Sequence, residues 1–350
     1  MISVILPSRN ESNYISDTVD SIINQDYPKG RIEIIVADGM SDDGTRDIIQ
    51  DYQKIYPNIK LIDNPERIVP TGFNRALNVA RGKFIIRVDG HTKIKNNYFN
   101  KCIELLEKKD ALNVGGLMNA KGTGIIDAIV SNATSSRFGI GNAQFHYSMK
   151  GNWVDTVYMG AWKRKVFEKI GGFDEELIRN QDDEFNFRLI QDGGKIWLDP
   201  SIKSVYHPRN SLNKLFKQYF QYGFYKIRVM QKRKGFVSWR HLVPGIFVFS
   251  LLVSMLLLPM SHFPFYLIVC SYLLANLIAT LIESVKLLSQ STIQIIYSII
   301  LTPITFFTIH FSYGLGFLMG LIKFWNKWND RDVKDYHFNR DQFVKNTKDY

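Results

Sequence analysis

The sequence predicts an α/β protein with a mostly parallel sheet, helices on both of its faces, and apolar helices following it. Three observations carry this. Short β-rich runs alternate with segments of helical period over residues 2–89. Polar clusters sit where those runs end. Beyond about residue 240 the chain turns into long uncharged stretches, a split that the mean hydropathy of −0.12 conceals. Alternating strand and helix patterns indicate βαβ units and hence a parallel sheet.

The first run, "ISVILP" at residues 2–7, is a strand. "SNYISDTVDSIINQ" follows with Ile15, Val19, Ile22 and Ile23 at helical spacing and Ser12 expected as the cap. "IEIIVADG" at 32–39 reads as a fully buried strand, and "GTRDIIQDYQKIY" as a helix with Ile48, Ile49, Tyr52 and Ile55 on one side. "NIKLID" is strand-like, "TGFNRALNVARG" helical and "KFIIRVD" a fourth strand. Parallel sheets bind ligands at the carboxyl ends of their strands. There the chain places Ser8-Arg9-Asn10-Glu11, Asp38 and Asp89-Gly90-His91. Three such ends together argue for a site more strongly than any one alone.

Further on, "QDDEFNFRL" opens a helix with Asp182, Asp183 and Glu184, where Glu184 and Arg188 are spaced to pair. "IKSVYHPRNS" ends a strand-like run at His207. Residues 211–235 mix aromatic side chains with Lys and Arg, a composition suited to an interfacial helix on anionic headgroups. Apolar runs then occupy 242–259, 263–282 and 293–322. A bilayer core takes roughly 20 apolar residues per helix. Pro303 is expected to break the third run into shorter pieces. That would leave the basic tail, with Lys323, Lys327, Arg331 and Lys334, on the inner side. A buried helical hairpin is the alternative. The expected division is 1–210 α/β domain, 211–240 amphipathic region, 241–323 about three transmembrane helices and 324–350 basic polar tail.

Composition narrows the function. The 350 residues carry a net charge of +11, with 22% charged and 13% aromatic residues, so the chain is not disordered by composition. No Lys/Arg block of nucleic-acid type appears, and no nucleic-acid partner is expected. Two cysteines, Cys102 and Cys270, support neither a disulfide framework nor a cysteine metal site. No G-x-G-x-x-G follows the first strand and no G-x-x-x-x-G-K-[ST] occurs, which disfavours dinucleotide and P-loop sites. "MISVILPSRNE" has no room for a signal peptide ahead of the first strand, so the α/β domain is expected on the cytoplasmic side of the plasma membrane.

Several residues suit chemistry. Gly90 permits a sharp bend that would let Asp89 and His91 face one point. A carboxylate oxygen with an imidazole nitrogen suits Mn²⁺ well and Mg²⁺ less well. The same triplet also fits a plain turn. Asp38 is placed for a ligand, whereas Asp42 or Asp43 suits helix capping. Asp182 or Asp183 could act as a general base at the mouth of a cleft, or be acids favoured by the helix dipole. His207 could add a donor to the metal or simply end its strand.

The motifs "VILPSRNE", "IIVADGMSDDGT", "GFNRALNVARGKFIIRVDGH", "MGAWKRKVFEKIGGFDEEL" and "QDDEFNFRL" occur in an order and spacing that resemble a family 2 glycosyltransferase of GT-A fold, from residue 2 to about 234. The wider pattern is similar to the succinoglycan-synthesis, ExoA-like branch. The resemblance implies a nucleotide-sugar donor, a UDP-sugar by expectation, with Pro7, Ser8, Asn10, Glu11, Asp38 and Asp89 at binding positions. It implies a divalent cation, Mn²⁺ or Mg²⁺, on Asp89, with His91 replacing the second acid of the D-x-D motif and His207 as a further donor. Asp182 matches the catalytic base of the E-D motif, where Gln181 replaces the glutamate and Asp183 competes for the role. Trp162, after "VYMGA", is a candidate face for an acceptor sugar, with core packing as the alternative. The expected activity is inverting transfer of one sugar to a lipid-linked saccharide in exopolysaccharide or capsule synthesis, with membrane lipids as further partners. A polyprenyl-phosphate glycosyltransferase and a non-catalytic, membrane-anchored nucleotide-sugar-binding subunit are the alternatives.

Overall fold

Every residue of the first strand, β1 (Ile2–Ser8), is buried, as is every residue of β2 (Ile32–Asp38). Continuous apolar runs of this kind need cover on both faces of a sheet. A computed structural model describes residues 1–120, 124–141, 144–206, 211–234, 239–285 and 292–346. With β3 (Ile59–Asp63) and β4 (Phe84–Arg87), these strands form a parallel set in the order β3-β2-β1-β4. The crossovers are α1 (Ile15–Ile23), α2 (Thr45–Ile55) and α3 (Val69–Val79). Register aligns Ser8 with Asp38 and Asp38 with Asp63, so the polar strand ends lie level.

The chain continues through β5 (Thr92–Ile94), α4 (Tyr98–Lys108) and β6 (Asn113–Ala120). Two helices follow, α5 (Ile125–Thr134) and α6 (Arg137–Ile140). Then come β7 (Asn152–Val154), β8 (Tyr158–Lys163), α7 (Lys165–Ile170), α8 (Gln181–Gln191) and β9 (Ile196–Tyr206). The full sheet runs β3-β2-β1-β4-β8-β6-β9-β5, with β7 beside β9. Beyond β4 the resolved pairings are antiparallel, β8 on β4, β6 on β8, and β5 and β7 on β9. The parallel expectation describes the half with regular strand–helix alternation; the sheet as a whole is mixed.

Two local expectations change. Ser12 does not cap α1, whose N-cap is Tyr14 without a side-chain bond. The Ser12 amide instead donates to Asp43 Oδ2 at 3.0 Å. Trp162 does not offer a face to a sugar. It is 2% exposed and packs edge-on against Phe73, Phe167, Phe173 and Phe185. Gly160, at φ +86°, makes the room, because a Cβ there would run into the indole.

The chain divides into two compact units. The first holds the sheet and its helices together with the segment from Asp332 onward. The second holds α5, α6, α9 (Leu212–Arg233), α10 (Val243–Leu256), α11 (Phe263–Val285) and α12 (Thr292–Lys323). Only α11 and α12 are long and apolar enough to cross a membrane among the described residues; α10 has 14 residues. Pro303 lies inside α12 without ending it. Asn276 Nδ2 donates to the Pro303 carbonyl at 3.0 Å. The second half of α9 is not free to lie on headgroups, since Lys226, Arg228 and Lys232 are buried. Arg228 pairs with Asp330 at 2.8 Å.

The terminal segment is not a loose tail. Asp335 accepts from the Gly172 amide at 2.9 Å, and the Lys334 carbonyl accepts from the Glu175 amide at 2.7 Å. His337 lies between Glu175 (2.8 Å) and Glu66 (3.1 Å). In α13 (Arg340–Lys345), Phe343 is fully buried. The Arg164 guanidinium donates to the Phe343 carbonyl and sits 3.5 Å from its ring centroid.

Candidate functional site

The loops after β1 and β2 brace each other. Asn10, at φ 55°, donates its backbone amide to Ser41 Oγ (2.9 Å) and exchanges side-chain and backbone bonds with Asp42. The Glu11 amide donates to Thr45 Oγ1 at 2.8 Å. Asp38, 1% exposed, accepts from the Ser41 amide, the Ser41 hydroxyl and Arg46 Nη1. Arg46 also reaches Asp63 at 2.8 Å, and these two carboxylates raise its pKa. Asp38 thus holds the floor of the site, while Asn10 holds its edge. Pro7 is an internal strand residue opposite Ala37. Ser8 Oγ is buried and has no hydrogen-bond partner among the described residues, a polar atom left open at the strand end.

The Asp89-Gly90-His91 triplet turns against this frame. The Thr92 amide donates to the Asp89 carbonyl at 3.0 Å, and Thr18 Oγ1 donates to the Gly90 carbonyl at 3.0 Å. Gly90 is needed for close approach: a Cβ would stand 2.7 Å from Ser8 Oγ and 3.2 Å from Glu11 Cγ. His91 Nδ1 bonds Glu11 Oε1 at 2.9 Å, and its ring meets Tyr206 edge-on at 5.2 Å. Asp89 Oδ1 accepts from Arg87 Nε at 2.8 Å, while Oδ2 has no partner among the described residues.

Arg87 is the residue that local reading passed over, although a basic side chain inside "FIIRVD" was the visible signal. It is 7% exposed. Burial opposes its charge, yet Asp89 and Asp182 hold its pKa above the usual arginine range. Asp182, at the start of α8, therefore acts on the same cation as Asp89. The Asp183 amide donates to Asp182 Oδ1 at 3.0 Å. The turn into α8 is set by Asn180 at φ 62°. Glu184 pairs with Arg188 through both oxygens and is fully buried, a structural role that fits the expected spacing. Tyr158, also missed, bonds Thr92 Oγ1 at 2.7 Å; burial and nearby Asp89 push its hydroxyl pKa well up.

Asp89 and His91 would offer a cation one hard oxygen and one imidazole nitrogen. They fit Mn²⁺ better than Mg²⁺. No group of three His, Cys, Asp or Glu poised around one point occurs among the described residues. His207 lies outside them. A two-donor site leaves positions for water and phosphate oxygens, the usual mode for cations bound with substrate phosphates.

Comparison with known proteins agrees with this architecture. Residues 3–171 match the profile of Glycosyl transferase family 2. The chain is 33% identical over 330 residues to the dolichyl N-acetyl-α-D-glucosaminyl phosphate 3-β-D-2,3-diacetamido-2,3-dideoxy-β-D-glucuronosyltransferase of Methanococcus voltae, covering 92% of this chain and 97% of that protein. It is 28% identical over 243 residues to the succinoglycan biosynthesis protein ExoA of Rhizobium meliloti, covering 69% and 73% respectively. The fold is similar to mannosyltransferase PcManGT from Pyrobaculum calidifontis, solved with GDP-Man and Mn²⁺, at a TM-score of 0.58 and 17% identity over 92% of this chain and 87% of that one.

Proposed function

The chain belongs to glycosyl transferase family 2 and is a glycosyltransferase, and from that premise we propose that it moves a sugar from a UDP-sugar donor to a lipid-linked saccharide, with inversion, at the cytoplasmic face of the plasma membrane. The observation that carries the reading is the buried Arg87, which bonds Asp89 at 2.8 Å and whose charge is favoured by Asp182 as well. Through that one cation, a carboxylate suited to a diphosphate-bound metal ion and one suited to proton abstraction share an electrostatic environment. The Methanococcus relative acts on a dolichyl phosphate sugar by its name, which supports a lipid-linked acceptor. Two helices of spanning length support a membrane setting, and the fold neighbour's GDP-Man and Mn²⁺ support a nucleotide-sugar donor and a cation.

In this reading Asp182 takes the proton of the acceptor hydroxyl. The acceptor oxygen bonds the anomeric carbon as the bond to the diphosphate breaks, and the electron pair leaves with the nucleoside diphosphate. Asp89 and His91 would hold a divalent cation, which would supply charge neutralisation for the departing diphosphate. Arg87 holds Asp89 through Oδ1, which leaves Oδ2 for the cation. Asp38, Asn10 and Asp42 keep the nucleotide end rigid.

The test uses membranes bearing the full chain, a panel of labelled nucleotide sugars and a lipid-linked acceptor. Asp182→Asn should lower turnover by about 10²–10⁴-fold, the usual weight of a general base, while Asp183→Asn stays within about tenfold. Chelator should abolish transfer and Mn²⁺ restore it. Full activity of Asp182→Asn would overturn the base, and chelator-resistant transfer would overturn the cation.

A further inference from the structure

We propose that Glu11 is a positioning residue: its carboxylate accepts the Nδ1–H of His91 and turns the Nε2 lone pair of that histidine toward a divalent cation. The inference rests on the reading of Asp89 and His91 as cation donors. A carboxylate only accepts, so the 2.9 Å contact calls for a proton on Nδ1, and in the neutral ring the lone pair then sits on Nε2. A neutral imidazole with one nitrogen fixed by a carboxylate is the arrangement that orients histidine ligands on metals and strengthens their donor nitrogen.

Glu11 is built for this task. Its amide donates to Thr45 Oγ1, and its carbonyl accepts from the amides of Tyr14 and Ile15, each at 2.8 Å. The backbone is thus held at three points before the side chain is considered. Among the described residues, His91 is the hydrogen-bond partner of the Glu11 carboxylate. Both side chains are about one-fifth exposed, at 20% and 21%. The His91 ring also meets Tyr206 edge-on, and the backbone just before it is held by the bonds of Thr18 to the Gly90 carbonyl and of Thr92 to the Asp89 carbonyl. Gly90 completes the fit, because a side chain there would strike Ser8 and Glu11. This changes the role proposed for Glu11, from contacting the donor to aiming a ligand of the cation.

The experiment titrates the full-length chain in detergent with Mn²⁺ alone, following free Mn²⁺ by electron paramagnetic resonance. Two-bond ¹⁵N–¹H spectra of labelled histidine report the tautomer, with His91 assigned by its loss in His91→Ala. His91→Ala and Glu11→Ala should each weaken Mn²⁺ binding by about 10–100-fold. Glu11→Gln, a neutral acceptor of the same shape, should lose less and still show the Nδ1–H form, which guards against a folding defect in Glu11→Ala. The double variant should bind no more weakly than His91→Ala. If His91→Ala binds Mn²⁺ as the parent does, the cation reading fails. If His91→Ala weakens binding and Glu11→Ala does not, the cation reading stands and the positioning role falls. If Glu11→Ala weakens binding equally in the His91→Ala background, Glu11 is itself a ligand and the proposal is overturned.

Discussion

At the scale of single residues, the carboxylate of Asp43 ties the loop after β1 to the first turn of α2. It accepts from the amides of Ser12 and Thr45 and from the Thr45 hydroxyl. Burial acts to raise its pKa, but the bonds from Thr45 and Ser12 outweigh that and hold it well below the usual range. A depressed carboxylate stabilises the fold above its unfolded value, near 3.9, and loses that contribution as pH falls through the folded one. Asp43→Ala should therefore cost about 1 kcal/mol at neutral pH, the net worth of one or two such bonds. The gap from the parent in thermal melts should close on acidification below about pH 4; a gap constant with pH would contradict this. The presence of acids at the strand ends was legible from sequence, as was the Glu184–Arg188 pair. Their division of labour was not. Asp42 and Asp43 differ in role from Asp38 because Asn10 and Ser12 arrive beside them from the loop after β1, about thirty residues earlier, and local spacing carries no trace of that.

At the scale of elements, α9 and α12 run side by side with almost no side-chain layer between them. A Cβ on Gly316 would run into the Phe220 carbonyl, one on Gly320 into that of Phe224, and one on Gly223 into that of Tyr313. Such contacts involve backbone on both sides and cannot relax by a rotamer change. Gly316→Ala should force the helices apart and destabilise the second unit by about 1–3 kcal/mol, as overpacking does. Gly30→Ala, where nothing lies within 4 Å, should be neutral in the same detergent melts. Equal melts for both variants would refute the close contact. The aromatic and basic composition of α9 suggested a headgroup-facing helix because composition does not name a partner. The signal that does is Gly316-x-x-x-Gly320, a small-residue spacing that lets helix backbones approach. The unbroken α12 has a related cause: helices in apolar surroundings tolerate proline when neighbours satisfy the freed polar groups.

At the scale of the molecule, the segment from Asp332 onward completes the α/β unit. Phe343 packs on Phe167 and Phe338, and its carbonyl helps satisfy the buried Arg164. Phe343→Ala should destabilise that unit by about 3–5 kcal/mol, the range for emptying a buried aromatic position, read as the melting transition reported by tryptophan fluorescence. An unchanged transition would show the segment to be a passive appendage. Charge alone marked this stretch as a basic tail, because its anchor is one phenylalanine amid polar residues. The return also constrains topology: a chain that leaves a domain and rejoins it passes through any intervening bilayer an even number of times. Two helices, α11 and α12, have the length and composition to cross a bilayer among the described residues, while α10, at about 21 Å, falls short of a bilayer core of about 30 Å. The same return has a consequence in time. Asn78 bonds the backbone of His337 and Asn339, 259 and 261 positions later. At about 5–20 residues per second, a ribosome needs on the order of tens of seconds between making the two. Throughout that interval the emerging domain must wait with the Phe343 pocket open, and it closes only after the apolar helices have been made.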